Sequence, residues 1–199
     1  MFDAIVLAGG QALRLGGVDK PAQTVDGITL LSRVVDAVSA AQRCVIVGPR
    51  RDPAVLGSRV DVVWAREDPP GSGPMNALRA GLPHTAAPIV FVLPADLPFI
   101  AAAIAPLAAA LRSQHHVVAA VMRVDGYDNY LAGAWKRAAL ADTLRRLPRD
   151  GRGAVRTLYE QVPTAVVHDP DGWSRDCDTW AELSAARRQA ERRRTPGDR

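Results

Sequence analysis

An aspartate that follows a very apolar run is the residue of this chain best placed for phosphate chemistry. The run is Ile89 to Leu93, and Asp96 follows it in the stretch PADLP. Continuous apolar residues predict a strand buried on both faces, and ligands of open α/β sheets bind at the carboxyl ends of such strands. A carboxylate there suits Mg²⁺, which neutralises the charges of a nucleoside triphosphate. The alternative is that Asp96 only caps the turn before Pro98.

A second chemical feature is the glycine-rich segment AIVLAGGQALRLGGVDK, residues 4–20. Its apolar start predicts a buried strand, and its glycines allow backbone N–H groups to approach an anion. Arg14 and Lys20 add fixed positive charge. The spacing fits neither a Walker A loop nor the dinucleotide G-x-G-x-x-G pattern. The segment therefore predicts a phosphate-binding loop of another type, with a glycine-rich turn and solvated Arg and Lys side chains as the alternative.

Composition supports a role for the lysine of this loop. Lys20 and Lys136 are the only two lysines among 25 basic residues, so arginine is the default cation of the chain. The compact ammonium of a lysine fits a crowded polyphosphate better than a planar guanidinium does. Lys20 is therefore predicted to contact phosphate.

Length and patterning favour one α/β domain. The chain has 199 residues, 48% of them hydrophobic, which is enough to bury a full core. Strand-like runs alternate with amphipathic helical runs. This alternation predicts a three-layer sandwich, with a mainly parallel, Rossmann-like twisted sheet and helices on both faces. We assign residues 1–186 to this single domain and residues 187–199 to the basic end of a C-terminal helix.

The other elements are predicted from the same patterns. Strands are expected at 44–47, 60–64, 116–122, 131–135 and 162–167, with a hairpin turn at 125–126; helices are expected at 29–41, from about 74, at 103–113, 136–147 and 153–161, and to about 193 at the C-terminus. Pro106 fits its helix only within the first turn. Thr179 and Glu182 predict a capping box for the last helix.

The basic pI does not indicate nucleic-acid binding. The pI is about 9.6, but residues 187–199 hold six arginines against Glu191 and Asp198, which accounts for the whole net charge of +4. Residues 1–186 are therefore balanced and have no global basic face. No nucleic-acid partner is expected.

Membrane and disulfide classes are also disfavoured. The longest apolar run, residues 99–111, is shorter than the roughly 20 residues that a membrane span needs. The two cysteines, Cys44 and Cys177, form no C-x-x-C pair, which favours a reducing cytoplasm. We expect a cytoplasmic protein without membrane partners, either a monomer or a weak homo-oligomer.

The glycine-rich segment resembles a known family. The pattern L-A-G-G-x-x-x-R-x-G-G-V-D-K is similar to the signature of the MobA-like nucleotidyltransferases, most closely the molybdenum cofactor guanylyltransferases. The resemblance implies that Arg14 and Lys20 hold the phosphates of a nucleoside triphosphate and that Asp96, in the family's D-x-P motif, binds Mg²⁺. It also implies that the triphosphate is wrapped by the start of the loop, Leu7, Ala8, Gly9 and Gly10.

A second nucleotide-binding segment of the family is similar to residues 66–82, REDPPGSGPMNALRAGL. The resemblance places Asp68 and Gly73 beside the base and the ribose. Judged from its residues alone, the segment is also an ordinary loop before a helix that starts near Pro74.

The stretch Asp176-Cys-Asp178-Thr179 resembles the family's D-x-D-T motif. In the family one residue of this pair lies near the active site, in some relatives as a second metal ligand. We favour Asp178 over Asp176 for that role, with a simple helix N-terminal charge as the alternative.

The acceptor segment departs from the family. The cofactor guanylyltransferases have D-G-x-x-H-P where this chain has Asn129-Tyr130 in the last two places. In the family this stretch approaches the pterin, so the departure leaves the acceptor open. Gly48-Pro49 likewise replaces a polar residue that guanylyl enzymes often have. Arg156 and its neighbours Arg149 and Arg152 are candidates for contact with a phosphate of the acceptor, or they belong to a solvated loop.

These residues together predict a Mg²⁺-dependent nucleotidyltransferase with Arg14, Lys20 and Asp96 as its catalytic residues. The resemblance implies GTP as donor and molybdopterin as acceptor, with release of pyrophosphate. Positioning and charge neutralisation are enough for this reaction. The alternatives are a cytidylyl- or sugar-phosphate nucleotidyltransferase of the same fold, and a catalytically inactive nucleotide-binding regulator. A nicotinamide oxidoreductase would need the missing dinucleotide pattern.

Overall fold

A computed structural model describes residues 1–10, 16–52, 55–56, 62–148 and 154–194. Its strands are β1 (Asp3–Leu7), β2 (Thr24–Val25), β3 (Ile28–Thr29), β4 (Cys44–Val47), β5 (Val62–Ala65), β6 (Ile89–Pro94), β7 (Ala119–Val124), β8 (Tyr127–Lys136) and β9 (Thr164–His168). Its α-helices are α1 (Leu30–Ala37), α2 (Pro74–Gly81), α3 (Ala101–Ser113), α4 (Arg137–Arg146), α5 (Arg156–Glu160) and α6 (Trp180–Arg194).

The main sheet is mostly parallel. Within the described residues it has seven strands in the order β5-β4-β1-β6-β8-β7-β9. Strand β1 pairs in parallel with β4 and β6, β4 with β5, and β7 with β9. Strand β8 runs antiparallel to β6 and β7. The predicted fold class is confirmed, and β6, the strand before Asp96, lies at the centre of the sheet.

Helices cover both faces of this sheet. On one face, α1 and α3 pack on alternate strand residues such as Val6 and Phe91. On the other face, α2, α4 and α5 pack on the intervening residues, among them Ile5 and Trp135. Because strand residues alternate between faces, each buried strand contributes to both layers.

A third, smaller cluster joins the C-terminal helix to the β2–β3 hairpin. Its buried residues are Val25, Leu30, Cys177, Leu183, Ala186 and Ala190. Arg187 Nε donates to the Thr24 carbonyl at 2.9 Å, and the Arg193 guanidinium lies 4.5 Å from the centre of the Phe99 ring. Helix α6 is therefore packed against the domain well past residue 186.

Helix α1 has an N-terminal cap, and the predicted hairpin turn at residues 125–126 is confirmed. Thr29 Oγ1 accepts a hydrogen bond from the Ser32 N–H at 3.0 Å and so caps α1. Asp125 and Gly126 form the turn between β7 and β8, both with positive φ, as expected for a two-residue hairpin turn.

Several predicted bounds are wrong. Helix α1 ends at Ala37, earlier than predicted, and α3 begins at Ala101, which places Pro106 inside the helix rather than in its first turn. The carbonyl that Pro106 leaves without an N–H donor belongs to Ala102, which is exposed, so water can satisfy it. Burial of Ala103, Leu107 and Leu111 against the sheet stabilises the helix despite the proline. In the described ranges, no helix is both long enough and apolar enough to cross a bilayer.

Candidate active site

The predicted site residues converge because their strands end at one edge of the sheet. The Ala95 N–H donates to the Leu7 carbonyl at 3.0 Å, and the Ala8 N–H donates to the Val47 carbonyl at 2.8 Å. The loops after β1, β4 and β6 therefore leave the sheet side by side. Strand β8 runs in the opposite direction, so its beginning lies at this same edge.

Lys20 lies between the two aspartates that were predicted to bind metal. Its Nζ contacts Asp96 Oδ2 and Asp178 Oδ1. The Lys20 side chain is 11% exposed, whereas that of Asp178 is 41% exposed. Burial alone would lower the pKa of Lys20, but the two carboxylates outweigh it and raise this pKa. The lysine is therefore a fixed cation.

Asp176, the other candidate of the pair, faces a different space. It does not contact Lys20 and instead lines the larger cavity described below. Burial raises the pKa of Asp176 to about 6, and the negative charges of Asp178 and Asp96 add to this rise.

The loop that bears both aspartates is held from its two ends. Asp169 accepts hydrogen bonds from the N–H groups of Trp173 and Ser174 at 2.9 and 2.7 Å. At the other end, Thr179 and Glu182 form the predicted capping box of α6, with Glu182 N–H donating to Thr179 Oγ1 at 3.2 Å. These contacts fix the backbone on either side of the aspartates.

Two adjoining cavities follow the glycine-rich loop. A cavity of about 380 Å³ lies between that loop and the start of α2, and it is lined by Leu7, Gly9, Gly10, Glu67, Gly71, Gly73, Pro74, Ala77, Pro94, Asp96 and Leu131. A smaller cavity of about 190 Å³ is lined by Lys20, Asp178, Ala8 and Pro21, and it shares Leu7, Gly10 and Asp96 with the first. We call the larger of the two the nucleotide cavity and the smaller one the phosphate cavity.

The predicted nucleotide-binding residues are thus mostly brought together. Leu7, Ala8, Gly9, Gly10, Lys20 and Gly73 line one or both cavities. Asp68 does not line either one, and its side chain is exposed. Arg14 lies outside the described residues, as do Arg149 and Arg152.

Glu67, the neighbour of Asp68, faces the nucleotide cavity instead. Glu67 is 6% exposed, and its Oε1 accepts a hydrogen bond from the Gly71 N–H at 2.9 Å. Its Oε2 is buried without a hydrogen-bond partner. A buried carboxylate oxygen without a donor is unfavourable unless a ligand supplies one.

Arg51 stabilises the glycine-rich loop through hydrogen bonds. Its guanidinium donates to the Ala8 carbonyl at 3.0 Å and to both oxygens of Asp19, with the shortest contact at 2.7 Å. The Arg51 side chain is only 7% exposed. This bidentate pair joins the start of the loop to the residue before Lys20.

Close packing of two backbone segments explains why position 48, directly after β4, is a glycine. A Cβ at Gly48 would lie 2.7 Å from the backbone carbon and oxygen of Ala8. Only glycine therefore permits this close approach between the end of β4 and the loop. The polar residue of the guanylyl enzymes has no room in this backbone arrangement.

A third cavity, of about 640 Å³, lies beside the start of β8 and the loop that bears Asp176. Its lining includes Asp176, Leu131, Tyr127, Tyr130 and Arg156. Leu131 also lines the nucleotide cavity, so the two spaces adjoin. We call this the acceptor cavity.

The residues that replace the family's His-Pro have different roles here. Asn129 Nδ2 donates to the Ser174 carbonyl at 2.8 Å, and Asn129 Oδ1 accepts from the Leu131 N–H at 3.2 Å. Asn129 thus joins β8 to the loop of Asp176. The Tyr130 ring packs 5.4 Å from the Tyr159 ring, and its other side faces the cavity.

The residues present suit a magnesium ion bound jointly with phosphate. Asp96 Oδ1 is buried and has no hydrogen-bond partner, while Asp178 lies across Lys20 from it. No group of three or more His, Cys, Asp or Glu residues that could hold a metal alone occurs in the described part of the chain. This fits Mg²⁺, which proteins bind through one or two carboxylates together with substrate phosphates.

The fold and this sheet edge are those of a nucleotidyltransferase. Comparison with known proteins agrees: the chain belongs to the family of the MobA-like NTP transferase domain, whose model matches residues 4–166. It is 33% identical over 195 residues to a molybdenum cofactor guanylyltransferase of Burkholderia lata, a match that covers 93% of this chain and 95% of the relative.

Solved structures share the fold. A nucleotidyl transferase from Methanothermobacter thermautotroptrophicus superposes with a TM-score of 0.75 at 20% identity, covering 97% of this chain and 99% of that one. The 2-C-methyl-D-erythritol 4-phosphate cytidylyltransferase of Thermus thermophilus gives a TM-score of 0.73 at 18% identity, with 96% and 100% covered. The shared fold therefore does not distinguish the nucleotide base.

Sequence reasoning missed Glu67 and Arg51. Glu67 directly precedes Asp68, which matches the family motif better. The backbone direction after β5 decides which of the two side chains lines the nucleotide cavity, and the sequence does not show that direction. Arg51 is one of 23 arginines. Its pairing with Arg50 directly after the β4 turn is the only feature of the neighbouring sequence that sets it apart.

Proposed function

We propose that this protein transfers GMP from GTP to molybdopterin, a phosphate-bearing pterin, and releases pyrophosphate. One observation carries the proposal: Lys20, Asp96 and Asp178 lie together in the lining of the phosphate cavity, Asp96 also lines the nucleotide cavity, and Asp176, two residues from Asp178, lines the acceptor cavity. A group transfer between two bound substrates needs its charged residues at such a junction. The name of the Burkholderia relative, at 33% identity, supports the choice of substrates.

Glu67 favours guanine as the base. Guanine presents N1–H and an exocyclic amino group next to each other, and an ionised carboxylate is purely an acceptor. With Oε1 held by the Gly71 N–H, Oε2 is the carboxylate oxygen left without a partner, in a residue that lines the nucleotide cavity. Cytosine offers fewer donors on its pairing edge, so it satisfies the Glu67 carboxylate less well than guanine does.

The donor phosphates belong beside Lys20. The Lys20 ammonium and the backbone of Gly10 line the phosphate cavity, where they can donate hydrogen bonds to phosphate oxygens. Mg²⁺, when held by Asp96 and Asp178, would supply further charge neutralisation at the α-phosphate. A phosphate oxygen of the acceptor attacks the α-phosphorus in line, the bond to the β-phosphate oxygen breaks, and pyrophosphate leaves.

The acceptor cavity suits a flat ring with a phosphate. Tyr127 and Tyr130 present aromatic rings on its wall, and such rings pack well against a heterocycle. Two described arginines line this cavity and suit the acceptor's phosphate: Arg156, which pairs with Glu160 at 2.7 Å, and Arg175, which pairs with Asp125 at 2.6 Å. Tyr130 comes from the segment that departs from the family sequence, and Arg156 comes from α5.

A triphosphate screen tests the proposal. Thermal unfolding with Mg²⁺ is measured for GTP, CTP, ATP and UTP, because a ligand at a hundred times its dissociation constant adds about 2.7 kcal/mol to stability. GTP should give the largest shift, and purified molybdopterin should then cause pyrophosphate release. A larger shift with CTP would favour a cytidylyltransferase. Binding without release for any acceptor would favour a regulator.

A further inference from the structure

The Lys20 ammonium contacts both carboxylates that the proposed function assigns to a divalent cation. It bridges Asp96 Oδ2 and Asp178 Oδ1. Lys20 comes from the N-terminal loop, Asp96 from the central strand, and Asp178 from the start of α6. A single ammonium therefore holds together three parts of the chain that are distant in sequence.

This arrangement leaves the site one positive charge for two negative charges. The Asp96 side chain is 18% exposed and its Oδ1 is buried without a partner, so the pair is not fully compensated by Lys20. Carboxylates in such surroundings attract a cation strongly, because the interaction is weakly screened. However, the ammonium already occupies one oxygen of each carboxylate.

We propose that Lys20 excludes the divalent cation from the free enzyme and is drawn onto the triphosphate when nucleotide and cation bind together. The inference rests on the proposed function and adds an order to it: the cation alone binds poorly, and the cation with nucleotide binds well. The phosphate cavity supports this exchange, since Lys20, Gly10 and Asp96 line the same space of about 190 Å³. A triphosphate there offers the ammonium about four negative charges in place of two.

The exchange also protects the site from a metal bound without substrate. A cation held tightly by Asp96 and Asp178 alone would have to be repositioned for each incoming triphosphate. With Lys20 as the resident cation, the metal enters with its phosphates. The lysine is then a positioning residue for the metal as well as a phosphate contact.

The first test measures Mn²⁺ binding without nucleotide, by electron paramagnetic resonance of the free ion. Lys20→Met should bind Mn²⁺ about tenfold or more tightly than wild type, because a unit positive charge beside the dication has been removed. Lys136→Met is the matched control: Lys136 is the only other lysine and donates to the His115 carbonyl, away from the site. It should bind Mn²⁺ as wild type does. The double variant Lys20→Met/Asp178→Asn should lose the gain.

A second measurement uses the wild-type chain, so it does not depend on the folding of a variant. With two lysines, the ¹H–¹⁵N spectrum of the ammonium groups has two signals, which Lys136→Met assigns. Millimolar Mg²⁺ alone should leave the Lys20 signal in place, and Mg²⁺ with the α,β-methylene analogue of GTP should move it.

The outcomes separate the inference from the proposed function. If Lys20→Met gains no Mn²⁺ affinity, or if Mg²⁺ alone moves the Lys20 signal, cation exclusion is wrong. If the GTP analogue binds and the Lys20 signal does not move, the exchange is wrong while the proposed function stands. If Lys20→Met gains Mn²⁺ affinity but no triphosphate binds, the cation exclusion stands and the proposed function is wrong.

Discussion

Glu67 and Gly71 form a hydrogen bond of 2.9 Å that leaves the second oxygen of the Glu67 carboxylate buried without a partner, in a residue that lines the nucleotide cavity. Glu67→Gln should therefore weaken GTP binding. Loss of a hydrogen bond to a charged group costs about 1.5–3 kcal/mol, or roughly tenfold to a hundredfold in the dissociation constant. Calorimetric titration with GTP and CTP measures the change. Asp68→Asn, at the exposed neighbour, is the control and should bind as wild type does. The reverse ranking of the two variants would restore Asp68 as the base contact.

Asp96→Ala should lower turnover by roughly a hundredfold or more, because the carboxylate next to the reacting phosphate is lost. Circular dichroism should show an intact fold. Asp142→Asn serves as the control, since Asp142 is 52% exposed and pairs only with Arg145 on α4. Turnover is followed as pyrophosphate release from GTP with molybdopterin. Near-normal release by Asp96→Ala would exclude the assigned role.

Arg51→Met should weaken triphosphate binding although Arg51 does not line either the nucleotide or the phosphate cavity. The variant loses the contacts to Ala8 and Asp19 that fix the glycine-rich loop. We expect about tenfold weaker GTP binding, since a loop that must be ordered on binding lowers affinity. Arg50→Met changes the exposed neighbour and should have no effect. Equal binding by the two variants would mean that the loop does not depend on this brace.

Alanine variants of two glycines near the loop should separate effects on the free energy of unfolding from effects on GTP binding. Gly48→Ala forces a Cβ to within 2.7 Å of the Ala8 backbone, and such overpacking costs about 1–3 kcal/mol in the free energy of unfolding. Gly10→Ala meets no atom within 4 Å, so its unfolding free energy should stay near that of wild type. Because Gly10 lines both cavities, its alanine variant should still weaken GTP binding. Denaturant unfolding and GTP titration of both variants test this contrast.

A buried pair beneath the acceptor cavity predicts a purely structural effect. Trp135 Nε1 donates to the Tyr159 hydroxyl at 3.0 Å, and these residues are 0% and 5% exposed. Tyr159→Phe leaves the indole N–H without an acceptor, which costs about 1–3 kcal/mol in unfolding free energy. Tyr127→Phe is the control because Tyr127 is 79% exposed. Equal denaturation midpoints would contradict the prediction.

The sequence was most informative where chemistry and periodicity coincide. The run before Asp96 predicted the central strand because only a strand buried on both faces is apolar throughout, and the glycine-rich loop predicted a phosphate site from backbone requirements alone. The capping box of Thr179 and Glu182 was equally local. Each of these features depends on neighbours in the sequence.

The parts that sequence reasoning missed depend on contacts between distant segments. Whether Glu67 or Asp68 turns inward is decided by the Gly71 N–H and the close approach of Gly9. Arg51 matters only because the fold brings it to Ala8. The helical position of Pro106 depends on the burial of Leu107 and Leu111, which outweighs the local cost of the proline.

Cys177 has a consequence for the geometry of two cavities. Its side chain is buried with Leu183 and Ala186 in the cluster under α6, while its neighbours Asp176 and Asp178 face the acceptor and phosphate cavities. The side chain between the two aspartates is therefore fixed to α6, in addition to the contacts at either end of the loop. A substitution that disturbs the packing of Cys177 is expected to displace both carboxylates together, and with them one wall of each cavity.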